Sequence, residues 1–596
     1  MDEQPKSIWK KQFAGRTAVV VLALLIALGV FLVAFIYALA NWEKPVAETF
    51  VYGAIVGIIF LTCCLFILFV LLPLSRWLFW KHWRRTLFSL ACFATLIALF
   101  YAEEDWRGWH AWNQFKHEWE AKGEHFDFAS VVPPPVPDEQ NFALTPVVAS
   151  SYEWCFDKKG HEVMPRNTNV VDRLSMITWR DNHWTHEPKS ENWQTAQKTD
   201  LKAWQEFFRS PPPNSKETNS FPVAPLPQTP AADILLALSK YDSAIEEVRQ
   251  ASQLPYSRFP LVYDQTAPFA ILLPHLAAVK SCAQAVSLRT LAELQNGQSE
   301  KAVEDVKLSL YLAGSIRTEP FLISHLVRIA MLNMALQPIY EGLAEHQWSD
   351  RQLVAFDAEL EKLSFLADFK LSMRGEMGLQ GGVLEYLRRQ PEQFMNFSAD
   401  NYSGNALPFP ARMVWQLIPS GWFYQNQFRC DRMIVEWNIP LVDVNQHTIS
   451  PAAVRHADGI LAADIRTSTV YNLLERMLIP PIGGSVEKFA HQQSSVDLAR
   501  TAIALERYRL AHGEFPETLD VLAPQFIAKV PHDVIGGQPL KYRRSSDGQF
   551  VLYSVGWNEQ DDGGMVVNQK SRNFRDESSS KVDISQGDWV WRYPQK

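Results

Sequence analysis

The stretch TLFSLACFATLIALFYAEEDWRGWHAWNQFKHEWE, residues 86–120, changes character at its centre. Residues 86–102 carry no charge, whereas the acidic triplet that follows leads into aromatic residues at every third position from Trp106 to Phe115. An uncharged run of about 17 residues is just long enough to cross a bilayer core, and tryptophans at helical spacing suit the interface beside it. This stretch therefore predicts a membrane span that continues into an interfacial Trp-rich helix over residues 103–132.

Two more uncharged stretches stand upstream, at residues 17–40 and 49–74. Each exceeds the roughly 20 residues that a helix needs to cross the hydrocarbon layer. The first is longer than the apolar region of a secretory signal peptide and lacks a convincing small-residue cleavage site. The sequence therefore predicts a membrane domain over residues 1–102 with three transmembrane helices, at about 17–40, 49–74 and 86–102.

Basic residues flank these stretches unevenly. Four precede the first stretch and four separate the second from the third, while the segment between the first and second holds a single lysine. Because positive residues favour the cytoplasmic side, we expect the N-terminus in the cytoplasm of a bacterium and everything after about Glu103 beyond its inner membrane. The lipid bilayer is thus the first predicted partner. The eight basic residues are Lys6, Lys10, Lys11, Arg16, Arg76, Lys81, Arg84 and Arg85.

The charge balance limits the other partners. The chain has 596 residues and a formal net charge of −8. Residues 1–102 carry nine Lys and Arg against four Asp and Glu, which leaves 48 basic and 61 acidic groups in the remainder. A nucleic-acid-binding protein needs a basic stripe or patch. The acidic remainder therefore predicts no nucleic-acid partner, and an unknown protein partner is expected instead.

Cysteines beyond the predicted spans are few and widely spaced, at Cys155, Cys282 and Cys430. Such spacing is neither a disulfide framework nor a zinc pattern. Buried apolar thiols are the ordinary interpretation, and a single disulfide stays open because an oxidising compartment would allow one.

The soluble part divides by composition into three regions. Residues 133–230 are rich in proline and polar side chains and are expected to connect and space the neighbouring regions. Residues 231–476 repeat apolar side chains at three and four positions, which predicts a mostly α-helical domain. No fixed period runs through them, so a regular solenoid is not expected. Residues 477–596 mix a helical pattern with alternating strands and form a small α+β domain.

One polar constellation interrupts the helical pattern of the middle region. Glu319, His325 and Arg328 stand in the otherwise apolar segment RTEPFLISHLVRIAMLNMA. They are weak candidates for an acid/base site in a cleft, and the alternative is a paired polar network buried between helices. The sequence contains no phosphate-binding loop, nucleophile elbow, dinucleotide fingerprint or HExxH motif that would add support for catalysis.

The last hundred residues give local signals for a helix and a small antiparallel sheet. Ser494 and Asp497 are placed to form a capping box at the start of a helix, and Gly513 is placed to end it. The runs LKYRR and QFVLYSV flank SSDG, which predicts a β-hairpin. The closing segment GDWVWRYP alternates aromatic residues and predicts a final strand.

These C-terminal segments resemble the globular part of type II secretion major pseudopilins. The resemblance rests on ALERYRLAHGEFPETLDVLAPQFIAKVP, GGQPLKYRR and LYSVGWNEQDDGG, within residues 496–564. In that family the end of a long helix leads into a small antiparallel sheet and an acidic loop that binds calcium. Here three predicted spans and a helical domain stand where pseudopilins have one membrane helix, so assembly into a pilus is not expected.

A broader resemblance covers more of the chain. The segments PPPVPDEQNFALTP, PSGWFYQNQF, ALERYRL and GDWVW are similar to those of a family of uncharacterised bacterial multi-span membrane proteins. That resemblance implies a membrane protein and no activity.

The acidic loop of the pseudopilin-like segment is the candidate metal site. Ca²⁺ takes oxygens from carboxylates, amides and carbonyls, and Asn558, Asp561 and Asp562 would supply them, with Asp583 or Asp588 arriving from the tail. Asn558 stands where the family has its first acid, and the family's spacing is not reproduced. The alternative is a solvated turn closed by glycines.

The fold class that follows is a membrane-anchored α+β protein. It would have three N-terminal transmembrane helices, an extracytoplasmic mostly α-helical domain and a small C-terminal α+β domain with an antiparallel sheet. Two functions compete. The first is a non-catalytic integral membrane protein with extracytoplasmic partner-binding domains, in envelope assembly or secretion. The alternative is a membrane-anchored extracytoplasmic enzyme with a site in the helical domain.

Overall fold

The protein is mostly helical, with a small antiparallel sheet region near its C-terminus. The computed structural model describes residues 72–153, 172–177, 188, 192–210, 221–263, 271–390, 417–467, 469–479, 482–569 and 582–594. The chain divides into two compact units, Met1–Glu103 and Glu104–Lys596. The first predicted span, 17–40, and all but the last three residues of the second, 49–74, lie outside the described residues.

Helix α1, Leu72–Glu120, contains the third predicted span. Its stretch Leu87–Glu120 is long and apolar enough to cross a membrane. The predicted loop between the second and third spans is wrong over residues 75–85, which continue the helix because they include neither glycine nor proline. The helix ends at Glu120, twelve residues before the predicted end of the interfacial helix, in a turn where Gly123 has a φ of +93°.

The other described helices belong to the second unit. They are α2 Pro146–Ala149, α3 Leu201–Arg209, α4 Pro230–Leu238, α5 Asp242–Ala251, α6 His275–Gln295, α7 Ser299–Gly314, α8 Leu322–Ala344, α9 Asp350–Leu360, α10 Phe365–Arg389, α11 Ser420–Arg432, α12 Pro451–Asp464, α13 Leu473–Leu478 and α14 Gly483–His512. A π-helical segment, Met433–Asn438, continues α11. Short 3-10 helices lie at Phe128–Ser130, Asp138–Gln140, Phe142–Leu144, Trp193–Thr195, Ser239–Tyr241, Ile439–Leu441 and Leu519–Leu522.

The core of the second unit forms where α6, α7, α8, α10 and α14 pack together. Among the described helices α8 is also apolar and long enough to span a membrane, but most of its apolar window is buried in the unit, as in the central helix of a soluble core. Helix α14 begins at Gly483, eleven residues before the predicted capping box. Val486 and Phe489 are fully buried and extend its core face, which leaves Ser494 buried within the helix. Gly513, with a φ of +87°, ends the helix as predicted.

In the described part of the chain, the strands pair antiparallel in three small sheets. Strand β1, Val442–Asp443, pairs with β2, Thr448–Ile449, and β5, Val566–Asn568, pairs with β6, Val582–Gly587. The third sheet has the order β3-β4-β7, formed by Lys541–Arg544, Phe550–Ser554 and Trp589–Arg592. The predicted hairpin and final strand are therefore confirmed.

The three-stranded sheet packs onto the helical core. The Trp591 ring lies 4.9 Å from the Trp193 ring, and the Tyr340 hydroxyl donates a hydrogen bond of 2.9 Å to the Arg592 carbonyl. Trp193 itself comes from the Pro-rich region predicted to connect domains, as does the fully buried Phe142. The regions distinguished by composition from residue 104 onward thus share one compact unit.

Candidate functional site

The structure encloses Glu319 in the helical core, with 3% of the residue exposed. One carboxylate oxygen lies 2.7 Å from His275 Nε2, and the other accepts a hydrogen bond of 2.5 Å from the Ser324 hydroxyl. The His275 ring stacks on Phe259 at 4.0 Å. The serine and the histidine both contact the acid and not each other, so the group lacks the relay of a serine nucleophile and its base.

His325 and Arg328 are also buried, at 0% and 2% exposure. Burial, and secondarily the charge of Arg328, lower the pKa of His325 to about 3, against a small rise from the Glu319 carbonyl. The Arg328 guanidinium pairs with Asp368, donates to the Ala313 carbonyl at 2.9 Å and lies over the Phe365 ring. Glu319 and Arg328 therefore have separate partners, and their arrangement is that of buried polar pairs between helices.

The acidic loop closes on its own hydrogen bonds. The Asn558 amide donates to Asp562 Oδ2 at 2.8 Å. Asp561 accepts from the Gly563 amide at 3.1 Å and the Tyr553 hydroxyl at 3.0 Å, and its other oxygen lies 3.2 Å from Lys541 Nζ. These partners, the Gly563 amide first, lower the pKa of Asp561. In the part of the chain that the structure describes, no group of three or more His, Cys, Asp or Glu is placed to hold a metal. Calcium binding stays a prediction.

Asp588 is the carboxylate that organises this loop. It accepts hydrogen bonds from the backbone amides of Asp562, Gly564 and Met565, the shortest being 2.6 Å to Gly564. Burial raises its pKa, and the three amides oppose that rise. The sequence indicates Asp588 only as an alternative ligand, because nothing local shows that the residue between β6 and β7 returns to this loop.

A cleft lies in the second unit between the C-terminal end of α1, helix α10 and helix α11. It encloses about 580 Å³, within the roughly 300–1,000 Å³ of ordinary ligand sites. The following residues line it: Trp112, Lys116, Phe126, Asp127, Phe128, Gly378, Gly381, Gly382, Glu385, Tyr386, Arg389, Gln390, Tyr424 and Gln427.

Aromatic rings and glycines give the cleft its walls. Trp112 and Phe126 meet edge to face with ring centroids 5.2 Å apart. On α10, a Cβ at Gly378 would lie 2.7 Å from Phe128 Cα, and one at Gly381 would lie 3.3 Å from Gln427 Nε2. Because glycine has no side chain, the neighbouring segments can pack closely against α10 at these positions, and the cleft beside this helix stays open.

The charged groups of the cleft are balanced. Lys116 Nζ lies 3.7 Å from Glu120, one turn along α1, and Arg389 Nε lies 2.7 Å from Glu385. The amide side chains of Gln390 and Gln427 can each donate and accept. The lining thus offers ring faces and neutral hydrogen-bonding groups, with no excess of one charge.

Asp431 lies one turn beyond Gln427 on α11 and is 1% exposed. Neither of its carboxylate oxygens has a partner at full hydrogen-bonding geometry among the described residues, and the Gln427 amide is the side-chain donor that approaches it. Burial raises the pKa of Asp431 well above its usual range, while Gln427 and Lys116, both cleft residues, act to lower it. Asp431 is therefore a buried carboxyl whose raised pKa favours its neutral form, and it lies behind the cleft wall.

Sequence reasoning missed this site. The cleft takes residues from segments about 300 positions apart, and only tertiary packing brings them together. One local signal existed: Phe423, Cys430 and Ile434 mark the buried face of α11 and its continuation, and Asp431 stands beside that face. Cys430 and Cys282 are buried free thiols, whereas Cys155 lies outside the described residues.

No protein-family model, curated protein or solved structure matches the chain.

Proposed function

We propose that the protein is a non-catalytic integral membrane protein whose second unit binds a partner through the cleft described above. The observation that carries the binding role is Asp431, a buried acid without a described partner at full hydrogen-bonding geometry behind an aromatic-lined cleft. An unpaired buried polar group costs free energy. A bound molecule whose polar group reached Asp431 through the cleft wall would offset that cost.

Anchoring in the membrane is supported by α1. Its large apolar side chains from Leu87 to Phe100 are 43 to 71% exposed, and apolar surface of that extent is favourable in lipid and unfavourable in water. The predicted spans 17–40 and 49–74 would add two more anchors. The basic flanks support a cytoplasmic N-terminus and a second unit outside the inner membrane.

The lining favours a partner that combines a flat apolar group with hydrogen-bonding groups, as an aromatic side chain in a protein segment does. The balanced charges of Lys116 and Arg389 favour an uncharged contact. The pseudopilin-like order of helix α14 and the sheet that follows is compatible with a role in envelope assembly or secretion. That resemblance remains part of the proposal.

No specific observation in the described part of the chain favours the alternative function, a membrane-anchored enzyme. Its best residues, Glu319, His325 and Arg328, are enclosed and divided between separate partners. The cleft, in turn, contains no paired nucleophile and base among its lining residues.

Site-specific photocrosslinking in native membranes tests the binding role. A photoreactive phenylalanine replaces Gln390 at the cleft, and the control carries it at Gln253, which is exposed and does not line the cleft. We expect one discrete adduct from position 390 and none from 253. Gly381→Leu should abolish the adduct by filling the cleft. Gly459→Leu, where a Cβ meets nothing within 4 Å, should preserve it. Equal crosslinking in both glycine variants would contradict the proposal.

A further inference from the structure

The second unit exposes a group of large apolar side chains from three elements. Trp106 and Trp109 come from α1, Leu417 precedes α11, and Val470, Leu473 and Met477 belong to α13 and the turn before it. We call these six residues the apolar patch. Their exposure runs from 39% at Leu473 to 64% at Leu417.

Hydrogen bonds bring these three elements together at Glu104 and Asp105. Tyr471 and Trp422 each donate to the Glu104 carboxylate at 3.0 Å, and the Gly421 amide donates to Asp105 at 2.7 Å. The rings of Trp422 and Tyr471 lie 6.4 Å apart. Each patch residue stands within six positions in sequence of one of these hydrogen-bonded residues, which places the patch residues in one region of the unit.

Helix geometry directs the two tryptophans of α1 away from the protein. Glu104, Gly108 and Trp112 are buried and define the face of α1 that packs on the unit. At about 100° per residue, Trp106 and Trp109 lie well outside that face. About half or more of each tryptophan is exposed, and such exposed indole surface is favourable at a membrane interface.

Positive side chains accompany the patch. Arg466 and Arg476 are exposed on either side of Tyr471 in sequence, and the Arg107 side chain is 43% exposed while it pairs with Glu104. Glu103 is an acid in the same region. Exposed arginines therefore stand near the exposed tryptophan and leucine side chains of the patch. Such a combination fits an anionic lipid surface.

We propose that the apolar patch seats the second unit on the anionic surface of a bilayer, with its apolar side chains at headgroup depth and Arg466 and Arg476 near lipid phosphates. The proposal rests on the membrane anchoring proposed above. It adds a second attachment to lipid, made by the folded unit itself. The consequence is a fixed face towards the membrane, since the patch occupies one region of the unit.

Lipid-borne quenchers test this seating on the full chain in nanodiscs of phosphatidylglycerol and phosphatidylcholine. The background replaces cysteines other than the buried Cys282 and Cys430 with serine. Leu473→Cys or Met477→Cys then carries a fluorophore, and the lipids carry nitroxides near the headgroup. Matched controls are Val354→Cys and Val521→Cys, at positions 43% and 49% exposed. We expect at least about twofold more quenching at both patch positions than at either control, and Arg466→Gln with Arg476→Gln should reduce it.

A separate variant of the same background that keeps Cys92 distinguishes the two proposals. Cys92 is exposed near the middle of the apolar stretch of α1, and its quenching by nitroxides on the lipid acyl chains reports anchoring alone. Quenching at Cys92 with equal signals at the patch and control positions would overturn the seating while leaving the anchor intact. An unquenched label at Cys92 would overturn the anchor and the seating together.

Discussion

The Trp422 indole donates a hydrogen bond to the buried Glu104 carboxylate, with 3.0 Å between Nε1 and Oε2. The two residues are 318 positions apart, so this bond ties α11 to α1. Their helices meet at glycines: a Cβ on Gly421 would fall 1.9 Å from the Glu104 carbonyl, and one on Gly108 would fall 2.2 Å from the Gly421 carbonyl. Backbone contact at two glycines and a satisfied buried acid together hold this part of α1 on the second unit.

Trp422→Phe should weaken that attachment. It keeps an aromatic ring but removes the indole donor, and leaving one oxygen of a buried carboxylate unsatisfied costs roughly 1 to 3 kcal/mol. Denaturant titration of the full chain in detergent measures the loss. The matched control is Trp437→Phe, since Trp437 is also partly buried and packs on His456. Equal losses in the two variants would show that ring packing, and not the hydrogen bond, holds Glu104.

Asp431→Asn should stabilise the free protein at neutral pH. Burial raises the pKa of Asp431 well above its usual range, so the folded state keeps a proton that the unfolded chain releases as pH rises. The contribution of Asp431 to the free energy of unfolding is therefore fully present below the ordinary carboxyl pKa. It declines as pH rises from there towards the pKa of Asp431 in the folded state. Asparagine has nearly the same shape but does not titrate, so its contribution to stability does not decline as pH rises. The gain in unfolding free energy should be larger at pH 7.5 than at pH 4, and a variant that is less stable than the native chain at pH 7.5 would refute the raised pKa.

His491 should destabilise the protein as pH falls. The ring is buried beside Trp589 and Gln194, and burial lowers its pKa to about 4 from 6.5. Between pH 6.5 and pH 4 the His491 ring binds a proton in the unfolded chain but not in the folded protein. Its contribution to the free energy of unfolding is therefore fully present above pH 6.5 and falls by on the order of 3 kcal/mol between pH 6.5 and pH 4. Melting temperatures from pH 7.5 to 4.5 should therefore fall less steeply for His491→Gln.

The exposed His117 provides the control for that experiment, since 82% of its side chain is exposed. His117→Gln should retain the full acid dependence of the native chain. His325, whose pKa burial lowers to about 3, leaves some dependence in the His491 variant. Identical pH profiles for the native chain and His491→Gln would mean that the ring is protonated without cost.

The solvated-turn alternative for the acidic loop predicts that calcium leaves the melting temperature unchanged, whereas the calcium-site prediction requires a rise. Asp561 already pairs with Lys541, and Asp588 is held by backbone amides, so the loop is closed without an ion. A ligand that binds only the folded state must raise the melting temperature. Melts in millimolar calcium and in chelator provide the comparison. A rise with calcium that Asp561→Asn removes would establish the calcium site that the pseudopilin resemblance implies.

Local patterns predicted local structure well. The uncharged residues before Glu103, the glycine at position 513 and the SSDG turn each act within a few residues of themselves. The start of α14 was placed eleven residues late because Ser494 and Asp497 match a helix cap in isolation. In the fold both are buried, which only the packing of neighbouring helices decides.

The cleft beside Asp431 could not be predicted from the sequence, because long-range packing forms it. Gln427 and Lys116 meet near Asp431 only because α11 docks on α1. The sequence places Glu319 about a turn and a half before His325 and Arg328 three residues after it. The partners of Glu319 and Arg328, His275 and Asp368, nevertheless come from opposite directions in sequence. A residue's neighbours in sequence show which face it shares, but not which distant element covers that face.

The most direct test of the account is the side of the membrane on which the second unit stands. Alkaline phosphatase, which folds only outside the cytoplasm, is fused after Lys596 in one strain and after Arg85 in another. The account predicts an active enzyme in intact cells from the first fusion and an inactive one from the second, because Arg85 precedes the apolar stretch of α1 and Lys596 follows it. Equal amounts of both fusions with an inactive enzyme at Lys596 would contradict a second unit held outside the cytoplasm.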